Sequence, residues 1–181
     1  LVNYASALKR QGELIERIKV GSHPDTLVFC SHPPIVTIGR STQPDDVESW
    51  EGETIEVSRG GRATYHGPSQ QVIYPLVSLQ RESREFLHQR DVHGYLRCLE
   101  SAVIRTLHTY NLPAEVKVAA ADDDEMANRT GVWVGERKIA SIGVAVRGWV
   151  TYHGVALNVD HDPTAFRGIK PCGYSRATMV S

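Results

Sequence analysis

Apolar residues recur along this chain at two spacings, and each spacing marks an element. Over residues 4–20, Tyr4, Leu8, Ile15 and Ile18 fall on one helical stripe, and Gly21 stops the segment. A longer helix is predicted over 91–110, with Asp91 as N-cap. There Val92, Leu96, Leu99, Val103, Leu107 and Tyr110 keep a three-to-four spacing, and Asn111-Leu112-Pro113 ends the run. Short apolar runs between turn residues predict strands at 26–30 and 35–38, on either side of Ser31-His32-Pro33-Pro34. Further strands are predicted at 55–57, 72–79, 132–134, 138–146, 150–153 and 156–159. The runs at 132–134 and 138–146 form a hairpin across Gly135-Glu136-Arg137. Strands therefore group in hairpins rather than alternating strictly with helices. The expected fold is α+β, a mixed, largely antiparallel sheet with packed helices on one side. Residues 119–125, with Asp122-Asp123-Asp124, read as an exposed loop.

Composition narrows the function classes. At 181 residues and 41% hydrophobic, the chain is expected to be one domain with a core sufficient to fold unaided. A net charge of -1 lacks the basic excess of a general nucleic-acid binder. No apolar run is long enough to span a membrane, and no charged-then-apolar leader opens the chain. The first residue is Leu, so the natural N-terminus is expected to lie further upstream. Cys30, Cys98 and Cys172 are odd in number and lack paired metal spacing, which suits reduced thiols in a cytoplasm. A monomer is expected.

Candidate chemistry gathers at a few points. Arg59-Gly60-Gly61-Arg62-Ala63-Thr64-Tyr65-His66 ends at Gly67-Pro68, and the apolar run after it carries the chain away. Two glycines let the backbone approach a ligand, and two arginines flank them. Thr64-Tyr65-His66-Gly67 recurs as Thr151-Tyr152-His153-Gly154, which offers two His-Gly corners to one pocket. Cys30 and Cys98 sit in apolar surroundings and read as buried small residues. Cys172 lies between Pro171 and Gly173, in a rigid turn, and is a candidate nucleophile. His66 and His153 are candidate partners for it. Lys138 is another, although the pattern alone favours a solvated hairpin end. A zinc site of His66, His153 and Cys172 would suit those residue types but lacks close-spaced ligand pairs, so no metal is expected.

These segments together resemble the lipoyl(octanoyl) transferase family, also called lipoate-protein ligase B. The resemblance runs from Arg59-Gly60-Gly61 through Thr64-Tyr65-His66-Gly67-Pro68 and Gln70. It continues in Gly131-Val132-Trp133-Val134-Gly135 and Lys138-Ile139-Ala140-Ser141-Ile142-Gly143. It ends in His153-Gly154, Ala156-Leu157-Asn158-Val159 and Pro171-Cys172-Gly173-Tyr174, all in the family's order. The resemblance implies transfer of an octanoyl group from acyl carrier protein to a lysine of a lipoyl domain, on a 2-oxoacid dehydrogenase or the glycine cleavage H protein. It implies the fold of biotin and lipoate protein ligases and class II synthetase cores. It makes Cys172 the acyl-thioester nucleophile and Lys138 its basic partner; His153 stays a supporting candidate on its own residue pattern. It places acyl binding on Arg59 to His66, on Ser141, Ile142 and Gly143, and on Gly154, Val155 and Ala156.

The implied chemistry suits these residues. Thiol-thioester exchange is nearly isoenergetic, and amide formation drives the second half, so neither ATP nor any other cofactor is needed. A nearby lysine either stabilises the thiolate or takes its proton. An acidic carrier protein would dock on local cations, for which Arg59, Arg62, Arg137, Arg147, Arg167 and Lys170 are candidates. Ser69 stands where the family usually has Gly, and strain is expected if that position needs a positive φ. Family members usually continue into a C-terminal helix, so a further segment after Ser181 is expected. Two other readings remain: an ATP-dependent lipoate or biotin ligase on the same fold, which needs no cysteine nucleophile, and a non-catalytic module binding acyl carriers or lipoyl domains.

Overall fold

The computed structural model of the chain describes residues 1–82, 87–117 and 130–181. The loop expected over 119–125 lies outside those residues. Two helices and two sheets organise the described part. Helix α1 (Tyr4–Lys19) starts at Asn3, whose side chain accepts the Ser6 N–H, and Gly21 follows at φ 75°. Helix α2 (Val92–His108) starts at Asp91, whose carboxylate accepts the Gly94 N–H at 2.7 Å. Both caps use a side-chain oxygen to satisfy an N–H that the first turn leaves open.

Among the described residues the strands are β1 (Thr26–Cys30), β2 (Ile35–Ile38), β3 (Glu53–Glu56), β4 (Thr64–His66), β5 (Gln70–Leu76), β6 (Ala114–Glu115), β7 (Gly131–Val134), β8 (Arg137–Arg147) and β9 (Val150–Asn158). The larger sheet runs β1-β5-β9-β8-β7-β6 and every pairing in it is antiparallel. The smaller runs β3-β2-β4, with β2 and β3 parallel. Short β4 and β6 lie in segments whose polar and small residues hide them from an apolar-run reading.

The helices pack on opposite faces of the larger sheet, not on one side. Val72, Tyr74 and Leu76 of β5 join α1 residues Ala7, Leu14, Ile15 and Ile18 in one core cluster. Ile73, between them, joins the cluster of Val103 and Leu107 from α2 with Val132, Ile139, Ala140 and Ile142. Alternate side chains point to opposite faces, so a central strand covered on both faces needs apolar residues at successive positions. A continuous apolar run therefore marked β5 but carried no information on which side each helix lies. A third cluster, Val36, Ala63, Tyr65, Ala165, Phe166, Ile169 and Met179, joins the smaller sheet to the last segment of the chain.

Strand β9 is continuous where two runs were expected, but it is bent in the middle. His153 has φ 57° and Gly154 φ 155°. A Cβ on Gly154 would lie 2.3 Å from the Ile73 carbonyl oxygen, so only glycine keeps β9 against β5 here. A non-glycine residue in the left-handed region costs about 1 kcal/mol. The His153 N–H, freed from the ladder, donates to Gln11 Oε1 of α1 at 2.8 Å. Ser69 carries no positive φ. The strain expected there is absent, and its hydroxyl donates to Asp162 at 3.5 Å rather than to nearby backbone.

Candidate active site

A pocket opens where the glycine-rich loop before β4 meets the middle of β8 and β9. Arg59, Gly60, Gly61, Arg62, Thr64 and His66 line it from the loop and β4. Lys138, Ser141, Ile142, Gly143, His153, Gly154, Val155 and Ala156 line it from β8 and β9, and Cys172 from the last segment. Ala63 and Tyr65, also assigned to the acyl site from the sequence, do not line it. Strand alternation turns them into the third core cluster. Tyr4, Val72, Tyr74 and Thr130 line the pocket without having been singled out. Tyr4 and Tyr74 sit on core-facing stripes, where the sequence gives no sign that a core residue also touches a cavity.

The loop is pinned from inside by Arg59. Its side chain is buried and donates to the Gly60 and Arg62 carbonyl oxygens at 3.1 and 2.8 Å, and to Thr37 O and Oγ1 at 2.9 and 2.7 Å. The Gly60 N–H donates to Val144 O at 3.0 Å, and a Cβ on Gly143 would lie 3.0 Å from Arg59 Cδ. Glycine at 143 is thus what lets the loop lie on β8. Arg62 pairs through Nε and Nη2 with both carboxylate oxygens of fully buried Asp46. Lys170 pairs with Asp45 and Glu48 at 3.1 and 2.8 Å. Arg59, Arg62 and Lys170 therefore do not present the open docking charges that were expected of them.

Cys172 sits in a 3₁₀ turn, Pro171–Gly173, with φ 54°. Its N–H donates to Ala63 O at 2.8 Å, and Lys170 N–H to Asp46 O at 2.8 Å, so backbone bonds hold the strained turn against the loop. Ser141 Oγ lies 3.7 Å from Cys172 Sγ. Lys138, read from pattern as a solvated hairpin end, is only 1% exposed. A bulge between Val132 and Trp133 shifts the hairpin register, and Lys138 stands opposite Trp133. Its ammonium lies 5.7 Å from the ring centres of both Trp133 and Tyr174.

Electrostatics separates the thiol from the histidines. Burial of Cys172 raises its pKa, but the charges of Lys138 and Arg59, with hydrogen bonds from Ser141 and Lys138, outweigh that and hold it below the ordinary thiol range. Burial lowers Arg59, and Cys172 opposes the change. His66 is pushed down to about 3 by burial and by Arg59. His153 falls to about 4 for the same two reasons. Both are neutral near pH 7 and lie inside the pocket wall rather than at its rim. Tyr4 lies 3.5 Å from His153 Nδ1 and stacks on His66 at 5.7 Å. His66, His153 and Gly154 do line one pocket, while Gly67 does not. The arrangement is a thiol fitted to ionise beside two fixed cations, in a pocket with an apolar wall of Val72, Ile142, Val155 and Ala156.

Comparison with known proteins gives this site a family. The lipoyl protein ligase A/B catalytic domain model matches residues 3–181. An octanoyltransferase of Bdellovibrio bacteriovorus is 47% identical over 188 residues, covering 100% of this chain and 84% of the relative. An octanoyltransferase of Geobacter metallireducens is 42% identical over 180 residues, covering 99% of this chain and 78% of the relative. A crystal structure of lipoate-protein ligase A bound with ATP shares the fold, with a TM-score of 0.60 at 18% identity over 91% of this chain and 72% of the other. With the family's catalytic-domain model matching nearly its whole length, the chain belongs to the lipoyl protein ligase A/B family.

Proposed function

We propose that this chain moves an octanoyl group from octanoyl-acyl carrier protein to a lysine of a lipoyl domain through a thioester on Cys172, with Lys138 handling the protons. It is an acyltransferase of protein lipoylation, an activity whose donors are acyl carrier proteins and whose acceptors are lipoyl domains. Lipoyl domains of 2-oxoacid dehydrogenases and the glycine cleavage H protein are the acceptors we assign, with a monomer working in the cytoplasm. Among the described residues no helix is long and apolar enough to cross a membrane.

The observation that carries the mechanism is the Cys172 thiol, held beside buried Lys138 and Arg59 at the pocket wall. The Cys172 thiolate attacks the donor carbonyl. A carbon–sulfur bond to Cys172 forms, the carrier's thiolate leaves, and the Lys138 ammonium gives it a proton. The acceptor lysine then attacks the Cys172 thioester. An amide forms, Cys172 leaves as thiolate, and the neutral Lys138 amine takes the proton released. The acyl tail lies along the apolar wall. At about 0.8 kcal/mol per buried methylene, an octanoyl chain contributes on the order of 5 kcal/mol of binding.

The test mixes octanoyl-acyl carrier protein with a lipoyl domain in the absence of ATP. Octanoylation of the acceptor without AMP release is the expected result. Acceptor modification that requires ATP and free octanoate, with AMP formed, would overturn the reading in favour of a ligase.

A further inference from the structure

Helix α2 covers the sheet with Leu96, Leu99, Val103, Ile104 and Leu107, and among them stands Glu100, only 2% exposed. A helix that merely covered the sheet would carry an apolar residue there, because a buried carboxylate is costly to desolvate. Glu100 Oε1 instead accepts the Gly131 N–H at 3.2 Å, and Oε2 faces Arg97 at 2.9 Å. We propose that Glu100 is a positioning residue: by fixing Gly131 at the start of β7, it holds Lys138 and Ser141 on the Cys172 thiol.

Gly131 is where the two side chains that hydrogen-bond the thiol converge. It pairs with Ser141 in the β7–β8 register. It has φ 143°, and a Cβ there would lie 2.4 Å from the Ala140 carbonyl oxygen, 2.6 Å from Lys138 Cε and 3.3 Å from Nζ. The backbone at 131 is thus packed directly on the end of the lysine, and its position is set by the bond to Glu100. A shift of a few tenths of an ångström at Gly131 passes into Lys138 with no slack between them. The carboxylate also acts on the amine through charge. Burial pushes the Glu100 carboxyl up, and Gly131, Arg97 and Lys138 draw it back.

This inference rests on the Lys138–Cys172 reading above, and its test keeps the two apart. The variants are Glu100→Met, which keeps volume and removes the acceptor, Glu100→Gln, which keeps a carbonyl acceptor for Gly131, and Lys138→Met. Each is assayed for Cys172 alkylation by iodoacetamide, for kcat and KM with octanoyl-acyl carrier protein, and for melting temperature. Glu100→Met should lower alkylation and kcat about tenfold and leave KM within about twofold, while the melting temperature reports separately the cost of the Gly131 N–H left without its acceptor. Glu100→Gln should recover most of the lost rate. A folded Glu100→Met reacting at the wild-type rate while Lys138→Met reacts slowly overturns the proposal and leaves the Lys138–Cys172 reading standing. Wild-type alkylation in Lys138→Met overturns that reading instead. If Glu100→Met does not fold, Gly131→Ala displaces the same backbone by forcing a methyl against Ala140 O and Lys138 Cε, and a wild-type rate in that folded variant also overturns the proposal.

Discussion

Cys30 and Cys172 each stand beside a nitrogen base, and their electrostatic surroundings pull their thiols in opposite directions. Cys30 Sγ lies 3.5 Å from His32 Nε2, the kind of cysteine–histidine contact that suggests a nucleophile. Yet His32 Nδ1 lies 2.6 Å from the Val2 carbonyl oxygen, so that nitrogen carries the proton and donates it. Nε2 is then an acceptor, already taken by the Tyr74 hydroxyl at 2.7 Å. Burial lowers His32 and keeps it neutral, and burial raises Cys30. Cys172 is partly buried too, but it faces two cations rather than a neutral ring. The difference teaches that a neighbouring base activates a thiol only where it brings positive charge or a free lone pair. Lys138 and Arg59 supply charge at Cys172, and His32 supplies neither at Cys30.

The comparison breaks first at Lys138. Lys138→Met should slow alkylation of Cys172 at neutral pH by about 10- to 100-fold and leave Cys30 unchanged, as read by peptide mapping of the labelled protein. Equal labelling of Cys172 in wild type and variant would place the activating charge elsewhere.

Acidity sharpens it next, because the two shifts have opposite signs. The folded pKa of Cys172 is lowered from the ordinary thiol value, the charges of Lys138 and Arg59 outweighing burial. The unfolded chain therefore binds more protons at that site between the two values. The thiolate's contribution to stability is fully present above the unfolded pKa and is lost as pH falls through the folded one. For Cys30 the folded pKa is raised, so its contribution is full below the unfolded value and is lost as pH climbs toward the folded one. The melting-temperature difference between wild type and Cys172→Ser should grow from about pH 6 to about pH 9, and that for Cys30→Ser should shrink over the upper part of the range. The same trend in both variants would contradict the assignment of charges.

Smaller effects follow from the inert partner. Cys30→Ala removes a half-buried sulfur from the cluster under α1, so it should cost about 1 kcal/mol in a denaturant melt and leave acyl transfer within about twofold. A tenfold loss of transfer would make the Cys30–His32 pair functional after all. Ser69→Gly should be the mildest change, at most about 1 kcal/mol, because no positive φ is relieved there.

The sequence carried the elements and the chemistry better than it carried orientation. Periodicity placed α1, α2 and most strands because each buries a regular stripe, and capping residues Asn3 and Asp91 stand at both helix starts. Family motifs brought Cys172 and Lys138 forward, while the pattern alone put Lys138 in solvent. Lys138 faces inward across a bulge in β7 and against Gly131, whose N–H donates to Glu100 of a distant helix, and no local window contains all three. Ala63 and Tyr65 shared a motif with pocket residues but face the core, since a motif does not resolve the alternation of a three-residue strand. Arg62 and Lys170, which seemed free in the sequence, are answered by Asp45, Asp46 and Glu48, none of them a neighbour along the chain.

The central claim is that Cys172, and not Cys30, carries the acyl group. Intact-mass and peptide-level spectrometry after mixing with octanoyl-acyl carrier protein, with no acceptor present, tests it most directly. The account predicts one hydroxylamine-sensitive octanoyl adduct on the peptide containing Cys172, absent from Cys172→Ala and discharged when a lipoyl domain is added. An adduct that persists in Cys172→Ala, or that maps to Cys30, would contradict it.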